Sequence, residues 1–349
     1  MKLFKRVSAG FFLIILVILI VMYLFLKPYY DFLKNTAHIS PIQALVGHDG
    51  VRTIDQQVNI LILGIAGGDH DGPNLSDSII IANYDLKKNR LITISIPRDV
   101  WSDTMRDRIN SAYAYGEEKI KGGGFKLAKA EVGTIYGTPI QYSAVVNFSG
   151  FDELIDFLGG VDLNVKRSFT DDQFPIAGKE NDLCGGDPDY GCRYETVTFK
   201  KGPQHMDGKT ALKFVRSRHA EGEEGNDFAR NERQQIVISA MKDKIAQVVK
   251  SLNITKIKKL YANIDSVVTR DISNQQLAII VRNSIFKKNF YQKNFHLSQD
   301  AFKVPDYRLY DGKYVLVPTS SDFTQIHSYI ACLLDKESED KCKGLLVQE

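Results

Sequence analysis

The chain has 349 residues, 44% hydrophobic and 25% charged, with a formal net charge of +3. That composition is globular and excludes a disordered chain. The near-neutral balance excludes a nucleic-acid partner held by bulk charge, so any anion binding must be local.

The N-terminus carries the first signal. Lys2, Lys5 and Arg6 precede a run without charge, Val7 to Leu26. Twenty such residues cross a hydrocarbon core of roughly 30 Å as a helix. The run is too long for the apolar core of a cleaved leader and ends without a small-residue cleavage site, at Lys27, Tyr29 and Tyr30. The expected layout is a cytoplasmic tail at 1–6, a membrane-spanning signal anchor at 7–26 and an extracytoplasmic stalk at 27–57. The basic tail stays inside. The stalk is followed by a main domain at 58–250 and an extension at 251–349 packed on it. Four cysteines in two local pairs, Cys184 with Cys192 and Cys332 with Cys342, predict two disulfides in an exported chain. Zinc is disfavoured, because neither pair has knuckle spacing or an internal histidine.

Three short apolar runs follow: Val58 to Ile65, Ser78 to Tyr84 and Leu91 to Ile96. They lack polar alternation, as strands covered on both faces do. The polar link Asp85 to Arg90 predicts a hairpin between the second and third. Phe125 to Tyr136 has a helical period, and Tyr142 to Phe148 reads as a strand. Ser149 with Asp152 resembles a capping box for a helix stopped by Gly159 and Gly160, before a strand at Val161 to Val165. Residues 166–203 read as loop. Asp207 caps a short helix to Val215, and Asn226 or Asp227 caps a longer one from Phe228 to about Val249. Helices are also predicted at Asn274 to Phe286 and Phe323 to Leu334, with a strand at Tyr314 to Pro318. The fold class is α/β, a central mixed sheet flanked by helices.

Lys213 to Gln235 holds Arg216, Arg218, Arg230 and Arg233, with His219 and Asp227 among them. Guanidinium groups brought together repel unless an anion lies between them, and their planar fork suits phosphate. Arg230, Arg233 and Gln234 share a face at the start of a helix, where free N–H groups also favour anions. Asp227 reads either as a cap and ion-pair partner or as a base or orienter near a phosphoryl group. Arg98 and Asp99 follow a strand end and a proline. Asp77 opens the neighbouring strand, so Asp77 and Asp99 are candidate ligands for a divalent cation. Asp69, His70 and Asp71 read equally as metal ligands or as an exposed turn. Their glycine-rich loop is no P-loop, since no Gly-Lys-Ser/Thr follows.

Taken in order, eight segments resemble the LytR-CpsA-Psr (LCP) family of bacterial cell-envelope proteins. They are Asn59 to Gly64; Ser76 to Ser78; Ser95 to Asp99; Arg108 to Asn110 with Ala112 to Gly116; Val146 to Phe148; Leu158 to Asp162; Val215 to Arg218; and Asp227 to Arg230 with Arg233 to Gln235. The resemblance implies a magnesium-dependent phosphotransferase. Such an enzyme moves a glycopolymer from an undecaprenyl-pyrophosphate carrier to a cell-wall hydroxyl, usually of peptidoglycan. It implies pyrophosphate binding by Arg98, Arg216, Arg218, Arg230 and Arg233, one magnesium aspartate at Asp77, and the Phe-x-Arg aspartate at Asp227. Arg108 and Gln234 join the expected substrate contacts. The family's second metal aspartate falls on Ala66, for which Asp69 or Asp71 would have to substitute. Two other classes stay open: a non-catalytic binder of polyprenyl phosphate or wall glycan, and a lipid-pyrophosphate hydrolase.

Overall fold

A computed structural model describes residues 2–47, 50–68, 72–179, 181–225, 227–286, 289–297 and 299–346. The chain divides into two compact units, one formed by residues 1–147 and 268–349, the other by 148–267.

In the first unit, helix α1 (Lys2–Asp31) contains a stretch apolar enough to cross a membrane. The stretch runs from Leu16 in α1 to Thr36 in the turn after it, has a mean hydropathy of 1.7 and is almost wholly exposed. A π-turn and the short helix α2 (Pro41–Val46) follow.

Three strands form the centre of a sheet: β1 (Gln57–Ile65), β2 (Ser76–Asp85) and β3 (Arg90–Ile96). β2 and β3 are antiparallel, as the polar link at residues 85–90 predicts, and β1 and β2 are antiparallel too. Trp101–Ser102 (β4) and Asp107–Arg108 (β5) pair beyond them. Helices α3 (Ala112–Lys119) and α4 (Gly123–Tyr136) lead to β6 (Tyr142–Asn147), which lies parallel to β1. α3 and α4 approach closely. A Cβ on Gly116 would sit 2.5 Å from the Gly123 carbonyl oxygen, which explains why only glycine fits there.

The sheet buries both faces, so successive side chains of one strand serve different cores. On β1, Leu61, Leu63 and Ile65 join Ile81, Ile94, Val132 and Ile135. Val58, from the other set, joins Tyr84, Tyr142, Ile272 and Ile280. This double burial is why the runs lack polar alternation.

The second unit contains α5 (Phe151–Phe157), β7 (Val161–Val165), β8 (Phe169–Pro175), β9 (Tyr194–Phe199) and β10 (Gly202–Met206). Helices α6 (Gly208–Arg216), α7 (Asp227–Lys250) and α8 (Ile254–Val267) complete it. Asp207 caps α6 as expected, accepting from the Thr210 N–H at 2.8 Å. The N-cap position falls one residue after the expected Ser149. Gly150 occupies the N-cap of α5 without a side-chain bond, because a 3₁₀ turn over Phe148–Gly150 displaces Ser149 from that position. The expected loop at 166–203 contains the antiparallel pair β8–β9.

The chain then returns to the first unit. β11 (Val268–Arg270) adds to the β6 edge, and β12 (Tyr291–His296) runs parallel to β3 at the other edge. The six-stranded order is β11-β6-β1-β2-β3-β12, a mixed sheet. Helices α9 (Asn274–Phe286) and α10 (Thr324–Lys336) pack on opposite faces, through Ile280 and through Ile326, Ile330 and Leu333. At Tyr314 to Pro318 the regular strand is Val317–Pro318, paired with Phe302–Lys303, and Leu316 before it bridges Val100. Both cysteine pairs are disulfides, Cys184–Cys192 and Cys332–Cys342.

Candidate functional site

Two clusters of charge arise, one in each unit. The first follows from strand register. Ile79 pairs with Ile96, and continuing that antiparallel count places Asp77 across from Arg98. The two side chains meet there: Arg98 Nη1 donates to Asp77 Oδ1 at 2.5 Å. Arg98 Nε lies 3.6 Å from Asp99 Oδ2, and Arg108 Nη1 donates to Asp99 Oδ1 at 3.3 Å. Two carboxylates and two guanidinium groups thus alternate where β2 and β3 emerge. Backbone bonds fix the turn: the Asn110 N–H donates to the Arg98 carbonyl, and the Leu316 N–H to that of Asp99. The Nε atoms of Arg98 and Arg108 are buried and make no hydrogen bond with the described residues. A buried donor without an acceptor costs free energy, which a bound anion would recover.

Beside this cluster, Asp107 accepts from Lys313 Nζ at 2.7 Å, from the Tyr115 hydroxyl and from the Arg108 N–H. Burial pushes the Asp107 carboxyl up, but these bonds outweigh it and hold it at about 2. The folded value is depressed, so the stabilisation is fully present above the ordinary aspartate range near 4 and is lost as pH falls towards 2. Asp107→Asn is therefore expected to lower stability at neutral pH by about 2 kcal/mol. Denaturant melts at pH 7 and pH 2.5 test this: the difference between variant and parent should shrink at the lower pH.

The loop between β1 and β2 passes close by in sequence. Ala66 stands where the resemblance expects a carboxylate and is half-buried. Gly67 has φ +64°, and a Cβ there would sit 1.8 Å from Asn147 Oδ1, so β6 presses directly on this backbone. Asp69, His70 and Asp71 lie outside the described residues. For a divalent cation, the described donors are Asp77 and Asp99. Both offer hard oxygen ligands of the kind magnesium takes, but the Arg98 guanidinium lies against both and would have to move aside for a cation to bridge them. Among the described residues the one group of three potential ligands is Asp182, Cys184 and Cys192. Its sulfurs are committed to a disulfide.

The second cluster lies in the other unit. Arg216 ends α6, and Arg218 follows in the loop, both half-buried. This loop hangs on a residue the sequence reading missed. Asp171 of β8 is fully buried at 0% exposure. Its Oδ2 accepts from Ser217 Oγ at 2.5 Å and from the N–H groups of Arg218 and His219 at 2.9 and 3.2 Å. Burial pushes the Asp171 carboxyl up, but these donors overcome it and leave it below the ordinary range. The signal that could have exposed it is the alternation Phe169, Asp171.

Arg233 turns inward. It is 3% exposed and donates to the carbonyls of Phe214, Ser217 and Glu224 and to Glu224 Oε2, at 2.7 to 3.0 Å. Its guanidinium carbon lies 4.7 Å from the Phe169 ring centroid. Glu224 also accepts from Arg167 Nε at 2.6 Å. Burial lowers the Arg233 pKa, with Glu224 opposing that shift. Arg230, one turn earlier on α7, is also buried, and Gln234 is half-buried. Asp227 opens α7, but its side chain and the whole of Asn226 lie outside the described residues.

Residues 33–328 match the model of the LytR_cpsA_psr family. The chain belongs to this family. It is 32% identical over 191 residues to the polyisoprenyl-teichoic acid–peptidoglycan teichoic acid transferase TagU of Bacillus cereus, covering 53% of this chain and 52% of the relative. The chain spans about half the length of the curated relatives it matches. Among solved structures, B. subtilis TagV superposes with a TM-score of 0.54 at 25% identity, covering 81% of this chain and 99% of TagV. TagT bound to LI-WTA shares the fold, with a TM-score of 0.51 at 20% identity over 84% of this chain and 98% of TagT. In this LytR_cpsA_psr member, the family match takes in both clusters, from Asp77 to Gln234.

Proposed function

We propose that this chain is a membrane-anchored, extracytoplasmic phosphotransferase. It would move a glycopolymer from an undecaprenyl-pyrophosphate carrier to a cell-wall hydroxyl, with peptidoglycan as the acceptor. The observation that carries the reading is the pair of buried Nε atoms on Arg98 and Arg108, which make no hydrogen bond with the described residues, beside Asp77 and Asp99. Membership of a family that includes TagU supports the reaction class. α1 supplies the anchor, with its basic end in the cytoplasm.

In the proposed reaction the acceptor hydroxyl attacks the glycan-side phosphorus. A new phosphoester bond forms, and the bond to the bridging oxygen breaks. Polyprenyl phosphate leaves with the electron pair, and the hydroxyl proton passes to a base. Asp227 is assigned to receive or orient that proton. In the first unit Arg98 is assigned to the pyrophosphate oxygens, where a fixed cation offsets the charge that grows on the leaving phosphate, and in the second unit Arg216, Arg218 and Arg230 form a separate candidate set of anion contacts. Magnesium belongs to the proposal: Asp77 and Asp99 would hold it, and it would add to that charge compensation. The anchor keeps the protein beside a lipid-borne donor and raises its effective concentration.

Ala66 favours a second reading, a binder of polyprenyl phosphate without turnover, because a family metal ligand is missing there. One experiment separates them. The full chain in vesicles is incubated with a radiolabelled lipid-pyrophosphate oligosaccharide and peptidoglycan oligomers, with magnesium or with EDTA. Label in peptidoglycan, lost with EDTA, is the expected result. Retention of intact donor would favour the binder, and free glycan phosphate would favour a hydrolase.

A further inference from the structure

Helix α2 presents an apolar face that no described residue of its own unit covers. Ile42, Leu45 and Val46 stand at i, i+3 and i+4, on one side of the helix, and are 73%, 63% and 68% exposed. Apolar side chains scattered singly need no explanation, but three grouped on one helical face do.

Chain continuity says what covers them. α1 ends at Asp31, a single π-turn (Phe32–Thr36) follows, and α2 starts at Pro41. The four residues between span at most about 14 Å even when extended. The polar layer of a bilayer is about 5–8 Å deep on each side. α2 therefore starts within reach of the surface through which α1 emerges. Tyr29 and Tyr30 mark that surface, since tyrosine favours the headgroup level.

The other side of this segment is tied to α9. The Asn274 amide donates to the Ala37 carbonyl at 2.8 Å, and Gln275 Oε1 accepts from the Ser40 N–H at 2.7 Å. Arg282 Nη1 donates to the carbonyls of Ala44, Leu45 and Gly47, the orphan acceptors at the end of α2. α9 in turn lies on the sheet core through Ile280.

We infer that α2 is a membrane-seated foot. Its Ile42, Leu45 and Val46 face enters the interfacial region of the leaflet from which α1 emerges. Through Arg282 and α9 this contact fixes the sheet, and with it Arg98 and Asp77, at a set height and tilt above the bilayer. A flexible stalk would give no such fixed geometry. The inference rests on α1 as the anchor and is independent of which reaction the chain performs.

All four cysteines are paired, so one introduced cysteine is a unique thiol. The full-length chain carrying Leu45→Cys is spin-labelled and reconstituted in phosphatidylcholine/phosphatidylglycerol (3:1) vesicles. Collisions with oxygen and with a water-soluble nickel chelate are compared by power saturation. Ile20→Cys, in α1, is the bilayer reference. Leu309→Cys, 76% exposed on a short turn, is the reference for an exposed apolar position off α2. The expected ratio of oxygen to nickel collisions at 45 is several times that at 309 and approaches that at 20. A label at 45 as open to nickel as the one at 309, while the label at 20 reads lipid, would overturn the proposal. So would a label shielded from both reagents, which would assign this face to a protein partner. A water-like environment at Ile20 would remove the anchor on which the foot depends. Arg282→Ala should increase the mobility of the label at 45; unchanged mobility would remove the coupling to α9.

Discussion

Arg98→Ala is expected to lower glycopolymer transfer by about 10²–10³-fold, the loss typical when one preorganised donor to developing charge is removed. The melting temperature should hardly change, because the ion pairs around Arg98 are half-open to solvent and such pairs contribute little to stability. Two effects combine in the rate. The proposed pyrophosphate donor would lose a cation whose Nε is already desolvated and makes no hydrogen bond with the described residues. Asp77 and Asp99 also lose the charge that lies between them, and their mutual repulsion would disfavour an anionic donor further. Arg98→Lys should fall between the two, since it keeps the charge but not the planar fork that reaches both carboxylates. Rates with the labelled donor in vesicles, read beside thermal melts of the same preparations, decide this. Parent-like turnover in Arg98→Ala would remove the first cluster from the chemistry.

The hairpin that brings Asp77 near Arg98 is legible in the sequence, and the reason is physical. β1, β2 and β3 are buried on both faces, so their sequences are nearly continuous runs of isoleucine, leucine and valine. Elements with one wet face were harder. β8 alternates buried Phe169, Asp171 and Phe174 with exposed polar residues, and a buried aspartate reads as solvent until its donors are known. β12 is an edge strand in which only Phe295 is buried, so its pattern is almost wholly polar. β11 is three residues long, below the length at which periodicity carries information. At the site the same limit applies. The sequence supplies four arginines within eighteen residues but not their partners. Glu224, Phe169 and Asp171 decide which guanidinium faces inward, and two of these come from a strand more than forty residues earlier. Arg216 and Arg218 stay half-buried on a loop held by Asp171, whereas Arg233 is spent on the protein itself.

That division has a measurable consequence. Arg233→Ala is expected to destabilise the 148–267 unit by about 3–5 kcal/mol, the usual cost of leaving one partner of a buried ion pair behind. Glu224 would keep only the exposed Arg167, and the carbonyls of Phe214, Ser217 and Glu224 would each lose a donor. The Phe169 ring would lose the cation above it, worth a further fraction of that total. Transfer activity would then fall because the Arg216–Arg218 loop loses its support, not because a phosphate contact is gone. A double-mutant cycle makes the distinction. Glu224→Gln removes the buried charge that Arg233→Ala would strand, so the double variant should be less unstable than the two single losses added together. Arg216→Ala supplies the contrast: a half-buried cation at the end of α6, expected to cost turnover with little change in the denaturant midpoint. If Arg233→Ala melted like the parent and still lost turnover, its guanidinium would belong with the substrate contacts. The inward set of hydrogen bonds to Phe214, Ser217 and Glu224 would then not be the arrangement that operates during transfer. Measured together, the two variants separate an arginine that builds the loop from one that the loop presents.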